Sequence, residues 1–389
     1  MNSQMETIKC TIMRGGTSKG IFINKNELPK DPVKRDKIIL GIFGSPDIRQ
    51  IDGLGGADVL TSKLAIISPS SSEDADVDYT FGQVSFETDT IDYKGNCGNI
   101  SSAVGPYAID EGIVPIRGDV TKVRINLTNS HRILNAEVPV VEGKAAVEGN
   151  YKIDGVPGTG AKIAMDWSDT TGAFTGKLLP TGNPKDEIET EDGVFPVSLV
   201  DAGNPLIFIK AESLGLKGTE DPGTIEANSI LMNKIERIRS KGAQMLGLVD
   251  DYKDATEKSP YNPFFAIISH PADYTALNDI KVEADNIDLV SRLAFMQRMH
   301  KAYPITGTVC TGAAARIPGS IVWDQMRKSS RKNGVLKIGH PGGIIDVEAI
   351  AYDEENKIEM KKIGVYRTAR RIMDGNVYVK KSLIKEGEI

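Results

Sequence analysis

The sequence predicts a mixed α and β protein built as two similar halves, on three observations. The chain has 389 residues, and at roughly 100–200 residues per domain that length suggests two cores. Short β-type segments bounded by turn residues recur along it, with 39 Gly and 19 Pro spread over the whole length. Each half also holds one helix of unusually small side chains, reached through a glycine-bearing stretch with a cysteine: Gly95-Asn96-Cys97-Gly98-Asn99 in the first, and 307–319 around Cys310 in the second.

In chain order, residues 7–13 read as a strand, 14–20 as a turn-rich loop, 21–24 as a second strand and 32–43 as a short helix. After Gly53, Gly55 and Gly56, residues 61–67 carry β-type side chains, and 79–91 reads as a strand pair. From Ile100 to Gly112 small and apolar residues occupy nearly every face, the pattern of a helix buried all round and ended by Gly112. Residues 123–147 are strand-like again. The Gly-, Asp- and Pro-rich stretch 180–193 marks the domain boundary, giving domains 1–187 and 188–389. In the second half, strands over 195–209 precede a helix over 226–246, strands near 264–269 and a helix over 289–303.

A formal charge of −6 without any basic block excludes nucleic acid and anionic membrane surfaces as partners, since both demand clustered Lys and Arg. An acidic substrate would need a locally positive site. No run of 18 apolar residues occurs, and residues 1–10 alternate polar and apolar instead of forming a signal-peptide core. Cys10, Cys97 and Cys310 are too few for a disulfide framework. These features predict reduced thiols and a cytoplasmic protein.

Cys97 is the sharpest chemical feature. A thiol at a helix start faces unpaired N–H groups and the positive end of the helix dipole, a setting that activates thiols and holds carboxylates or enolates. A buried structural cysteine in a tight turn is the alternative. Lys63 opens a segment, Leu64 to Ile67, that is apolar on both faces. A lysine drawn into such an interior sheds its proton readily and becomes a base near neutral pH; one at a strand end can equally reach for water. The Arg14 to Gly20 loop, with Gly15, Gly16, Thr17 and Ser18, can offer amides, hydroxyls and cations to a carboxylate, or be a plain hairpin. Asn204, after Gly203, can bind a carboxylate or close an Asx turn. The P-loop spacing is missed by one residue at 155–162 and no Gly-x-Gly-x-x-Gly opens a helix, so no cofactor is expected. His131, His270, His300 and His340 stand isolated, so no metal is expected either.

The Asn96 to Asn99 turn with its small-sided helix, the second such element at 308–317, and Gly203-Asn204-Pro205 resemble the diaminopimelate epimerase superfamily. That resemblance implies an α+β fold of two pseudo-symmetric domains. Each would wrap strands around a central helix, the helix N-termini facing each other across an active-site cleft, and the last segment could return to the first domain. Over nearly the whole chain, residues 13–20, 53–63, 95–112, 304–319 and Thr368-Ala369-Arg370-Arg371 are similar to the 2-methylaconitate isomerase family. The resemblance implies a cofactor-independent isomerase acting on a small unsaturated di- or tricarboxylate, with methylitaconate and 2,3-dimethylmaleate as the first pair and 2-methylaconitate or oxalomesaconate as alternatives. Separately from the resemblance, paired Gly-rich strand edges point to a homo-oligomer of unspecified order.

Epimerases of that superfamily use two facing cysteines. Here Val309 falls where the second would be if Gly312-Ala313 opens the helix, and Cys310 is one residue out of register. The family resemblance puts Lys63 in place of that thiol, paired with Cys97 as acid and base. It assigns substrate contacts to Gly15, Gly16, Thr17 and Ser18, to the helix-start residues Gly98, Asn99, Ile100, Ser101 and Ser102, to Asn204, and to Thr311 and Gly312. Two competing readings are an amino-acid racemase working through Cys97 and Cys310, and a carboxylate-binding protein that performs no chemistry.

Overall fold

The computed structural model describes residues 3–354 and 357–383. They divide into two compact units, one drawn from Met1–Lys152, Gly158–Ile163 and Arg367–Ile389, the other from Ile153–Pro157 and Ala164–Tyr366. Both are α+β. No described helix is long and apolar enough to cross a membrane.

In the first unit, strand β1 (Met5–Gly15) turns directly into β2 (Ser18–Asn24), with Gly15 opposite Ser18. The predicted seven-residue loop is therefore a two-residue hairpin turn, because Arg14 and Lys19 pair within the ladder. Gly16 has φ +49°, a value glycine adopts without strain in such turns. Helix α1 (Pro32–Phe43) starts where Asp31 caps the Lys34 amide and stops at Gly44 in the left-handed region. Its buried Ile38, Ile39, Ile42 and Phe43 pack on Ile8, Cys10, Ile21 and Ile23, each side chain contributing roughly 1.5–3 kcal/mol by leaving water.

Strand β3 (Lys63–Pro69) runs parallel to β2, and β4 (Val77–Val84) runs antiparallel to β3 and pairs with the short β5 (Ile91–Asp92). Helix α2 (Gly98–Asp110) follows, buried from Gly98 to Ile109. Strands β6 (Val120–Leu127), β7 (Arg132–Val141) and β8 (Lys144–Ala145) continue the sheet, and the strand Ala369–Lys380 pairs antiparallel with β1. Strands β1–β4, β6–β8 and the strand Ala369–Lys380 all touch α2, so the sheet wraps around it. Small residues make that possible. A Cβ on Gly105 would stand 2.7 Å from Val138 Cγ2.

The second unit repeats the plan around the helix Ile305–Ala314, every residue of which is buried. Its sheet runs through Gly193–Ala202, Asn204–Lys210, Phe264–Ser269, Leu289–Phe295, Val335–His340 and Gly343–Glu354. The central helix touches the first two of these and the last. The helix Ser229–Met245 covers the sheet with Leu231, Ile235 and Ile238 against Phe265 and Ile267.

Three expectations are corrected. The helix expected over 289–303 is the strand Leu289–Phe295 followed by the short strand Arg298–Met299. Leu289–Phe295 lies between Phe264–Ser269 and Val335–His340 and is buried on both faces, so it shows no alternation, and a short apolar run is ambiguous between helix and strand. The helix expected over 226–246 is broken at Asn228, whose side chain caps Leu231. The turn-rich stretch 180–193 lies inside the second unit, where Asp186–Thr190 and Gly193–Ala202 form a hairpin.

Candidate active site at the start of helix α2

Strand pairing fixes the surroundings of the candidate side chain Lys63. Gly20 lies opposite Lys63 in the parallel β2–β3 pair, and Gln83 lies opposite Lys63 in the antiparallel β3–β4 pair. A Cβ on Gly20 would stand 2.9 Å from Ile100 Cδ1 and 3.0 Å from Lys63 O, so the bare glycine lets the α2 start settle over the beginning of β3. Lys63 is 3% exposed. Its Nζ donates to Gln83 Oε1 at 2.8 Å, lies 5.4 Å from the Phe81 ring centroid, and is within hydrogen-bonding and Coulombic reach of the Cys97 thiol. Burial pushes the Lys63 ammonium down from its ordinary value, against the upward pull of Cys97 and Asp58. The lysine does not reach water at the strand end.

Cys97 is the N-cap of α2, with extended backbone angles and no capping bond from its side chain. The first bond of the helix runs from the Ser101 amide to Cys97 O at 2.9 Å. The amides of Gly98, Asn99 and Ile100 precede it and have no intrahelical partner. Ser101 Oγ donates to Cys97 O at 2.9 Å and Ser102 Oγ to Asn99 O at 2.7 Å, so both hydroxyls brace the first turn. Tyr79, buried beside Cys97 and Ser101, is held well above the ordinary phenol range, by burial first and by Cys97 second. It stays protonated.

The β1–β2 hairpin is docked on this helix start. Asn99 Oδ1 accepts from the Thr17 amide at 3.3 Å and Asn99 Nδ2 donates to Thr17 Oγ1 at 3.1 Å. A Cβ on Gly15 would stand 3.1 Å from Ile100 Cα and nearer still to Asn99 O. On Gly16 it would stand 2.9 Å from Asn99 Cγ and 3.2 Å from Arg367 Cδ. Arg14 Nη1 donates to Gly16 O at 3.0 Å and Thr368 O at 2.9 Å, tying the turn to the segment before Ala369–Lys380. Ser18 is 3% exposed, and its Oγ has no hydrogen-bond partner among the described residues.

Lys63, Cys97, the hairpin residues and the five helix-start residues are thus gathered in one unit. Asn204, Thr311 and Gly312 belong to the other. Asn204 is buried and donates from Nδ2 to Thr306 Oγ1 at 2.9 Å, near the start of the helix Ile305–Ala314. Gly203 takes φ +75° against Thr306 O and Val309. Thr311 and Gly312 are the seventh and eighth residues of that helix, which begins after Pro304 and not at Gly312. Thr311 Oγ1 donates back to Gly307 O at 2.7 Å and Gly312 packs on Val347. Their amides are internal to the helix, which corrects their expected role as helix-terminal donors. Cys310 is fully buried, its Sγ donating to Val200 O at 3.3 Å, and burial with Asp201 nearby raises its thiol well above the ordinary value. That thiol is structural.

Sequence reasoning missed Tyr79 and Gln83. Both lie on β4 with Phe81 at alternate positions, and all three are buried. A glutamine in register with two aromatic residues on the inward face of a strand was the available signal.

A buried amine whose charged form is disfavoured by burial, a thiol beside it, and three helix-terminal amides make a site suited to moving protons on an anionic carbon acid. Known proteins similar to this chain are named isomerases. The chain is 53% identical over 383 residues to 3-methylitaconate isomerase of Eubacterium barkeri, covering 98% of this chain and 99% of that one. The crystal structure of methylitaconate-delta-isomerase superposes with a TM-score of 0.81 at 51% identity, over 99% of this chain and 98% of that one. A hydroxyproline epimerase from Agrobacterium vitis, at 10% identity and TM-score 0.56 over 97% and 93% of the two chains, shares the fold alone. The PrpF protein family matches over residues 5–380, and the chain belongs to that family.

Proposed function

We propose that this protein is a methylitaconate isomerase that interconverts 2-methylene-3-methylsuccinate and 2,3-dimethylmaleate, with Lys63 and Cys97 as its acid–base pair. The observation that carries the reading is the Lys63 amine, buried to 3% exposure and within hydrogen-bonding reach of the thiol at the start of α2. The 53% identity to a 3-methylitaconate isomerase over almost the full chain supports the choice of substrate.

The substrate C3–H is acidic because it lies next to a carboxylate and is allylic to the methylene group. Neutral Lys63 takes that proton and leaves a carbanion spread over C3, C2 and the methylene carbon. Cys97 returns a proton to the methylene carbon, which becomes a methyl group as the double bond settles between C2 and C3. One proton leaves, one arrives, and no electron acceptor is required. The Gly98, Asn99 and Ile100 amides and the Ser18 hydroxyl supply donors for substrate carboxylates and for the spread charge.

The three free, buried cysteines support a reducing, cytoplasmic setting. A homo-oligomer belongs to the same reading and is measured by light scattering.

The test is a proton NMR time course in heavy water, with methylitaconate, 2-methylaconitate and oxalomesaconate supplied separately and no cofactor. Conversion of methylitaconate with deuterium entering the new methyl supports the reading. Turnover of another acid alone changes the substrate. Exchange at none of them leaves a carboxylate-binding protein. Loss of turnover in both Lys63→Ala and Cys97→Ala supports the acid–base pair.

A further inference from the structure

We propose that Gln83 is the positioning residue of the proton transfer: its side-chain carbonyl takes one N–H of the Lys63 amine and so turns the amine's lone pair toward the substrate carbon. The inference rests on Lys63 as the base. A neutral amine has two N–H bonds and one lone pair on a freely rotating carbon–nitrogen bond, so an amine with no acceptor nearby has no preferred aim. Gln83 Oε1 at 2.8 Å from Nζ supplies that acceptor.

The orientation of the Gln83 amide is itself determined. Its Nε2 donates to two backbone carbonyls, Val59 O at 3.3 Å and Ser62 O at 3.1 Å. Flipping the amide would set Oε1 against both carbonyls and turn two N–H groups toward an amine that must also donate. The carbonyls are rigid in turn. Ser62 O also accepts the Val84 amide at 3.1 Å. Ser62 Oγ donates to Gln50 Oε1 at 2.7 Å, and the same oxygen accepts the Ala57 amide at 2.8 Å. The loop ahead of Lys63 is thereby stitched across its width. Gln83 is 1% exposed, so water does not compete for the contact.

Neutrality matters as much as geometry. A carboxylate at this position would make the same hydrogen bond but would hold the lysine as an ammonium, unable to accept a proton. Within this unit the groups facing Lys63 are Gln83 and Phe81 from β4, Cys97 from the start of α2 and Asp58 from the preceding loop, with Tyr79 next to Cys97. On β4, Gln83 accepts from the amine and carries no charge.

The experiment compares Gln83→Met and Gln83→Glu with the unmodified enzyme and with Lys63→Ala, following methylitaconate turnover against pH and thermal unfolding of each. Gln83→Met is expected to lower kcat at least tenfold with KM within threefold. Gln83→Glu is expected to move the acidic limb of kcat/KM upward by about one to three pH units, the effect of an opposite charge at this range, with rate returning at high pH. A folded Gln83→Glu enzyme whose limb stays in place, or a Gln83→Met enzyme with unchanged kcat, overturns the proposal. A structural role alone would lower the unfolding temperature without moving the limb. Gln83→Met places no charge against the Val59 and Ser62 carbonyls and carries the test if Gln83→Glu does not fold. Normal turnover by Lys63→Ala would instead remove the base reading on which the inference stands, whatever the Gln83 variants do.

Discussion

Replacing Gly16 by alanine tests whether the β1–β2 hairpin holds the start of α2 in place. Two costs add at this position. Gly16 has φ +49°, which alanine tolerates poorly, and its new Cβ would lie 2.9 Å from Asn99 Cγ and 3.2 Å from Arg367 Cδ. Moving Asn99 aside breaks its two hydrogen bonds to Thr17. Strain of about 1–2 kcal/mol and two bonds of about 0.5–1.5 kcal/mol each give a loss of about 2–5 kcal/mol. Gly143→Ala is the control. Gly143 has φ +77°, but a methyl added there would meet nothing within 4 Å, so it carries the strain alone, about 1–2 kcal/mol. Denaturant unfolding of both variants, followed with methylitaconate turnover, separates the two costs. Gly16→Ala is expected to be the less stable by about 1–3 kcal/mol, the share of the lost hydrogen bonds, and to lose activity because Cys97 and the α2 amides shift with Asn99. Equal stabilities, or a Gly16→Ala enzyme with full activity, would refute docking of the hairpin on Asn99 as the reason for the glycine.

Cys97→Ala should cost about 10²–10⁴ in kcat, the range for a general acid or base, and only roughly 1 kcal/mol of stability through the small cavity, because the thiol caps nothing. Lys63→Met should raise stability, and the gain should depend on pH. The buried ammonium is lowered from its ordinary value of 10.5, so between the folded and unfolded pKa values the unfolded chain binds more protons and stability rises with pH. The advantage of Lys63→Met is therefore largest on the acid side of that window and fades as pH approaches 10.5, and thermal melts across pH measure it. Ser18→Ala removes a buried hydroxyl without a partner among the described residues. It should stabilise the free protein by roughly 1 kcal/mol while raising KM about tenfold, as calorimetry and initial rates would show. Cys310→Ala should leave kcat within about twofold and cost roughly 1 kcal/mol of stability through the small cavity; a large loss of kcat would return a two-cysteine racemase to consideration.

Local sequence determined the elements whose pattern is self-contained. The run from Gly98 to Ile109 has no large charged side chain, so it can be covered on every side, and α2 and the position of Cys97 at its start follow from that alone. Asp31, Pro32 and Gly44 likewise mark both ends of α1. Lys63 was legible as a base candidate because four apolar residues follow it, but its burial was not. That depends on Gly20 and Gln83 as its cross-strand neighbours and on Cys97 beyond them, contacts 20 or more residues away in the chain. Tertiary structure alone also decided that Leu289–Phe295 is a strand, since burial on both faces erases the alternation by which strands are read. It decided that the second central helix opens at Ile305, which takes Thr311 and Gly312 out of its first turn. A run of small residues marks a helix that can be enveloped, yet the residue at which such a helix begins is set by the turn that delivers the chain to it, here Pro304.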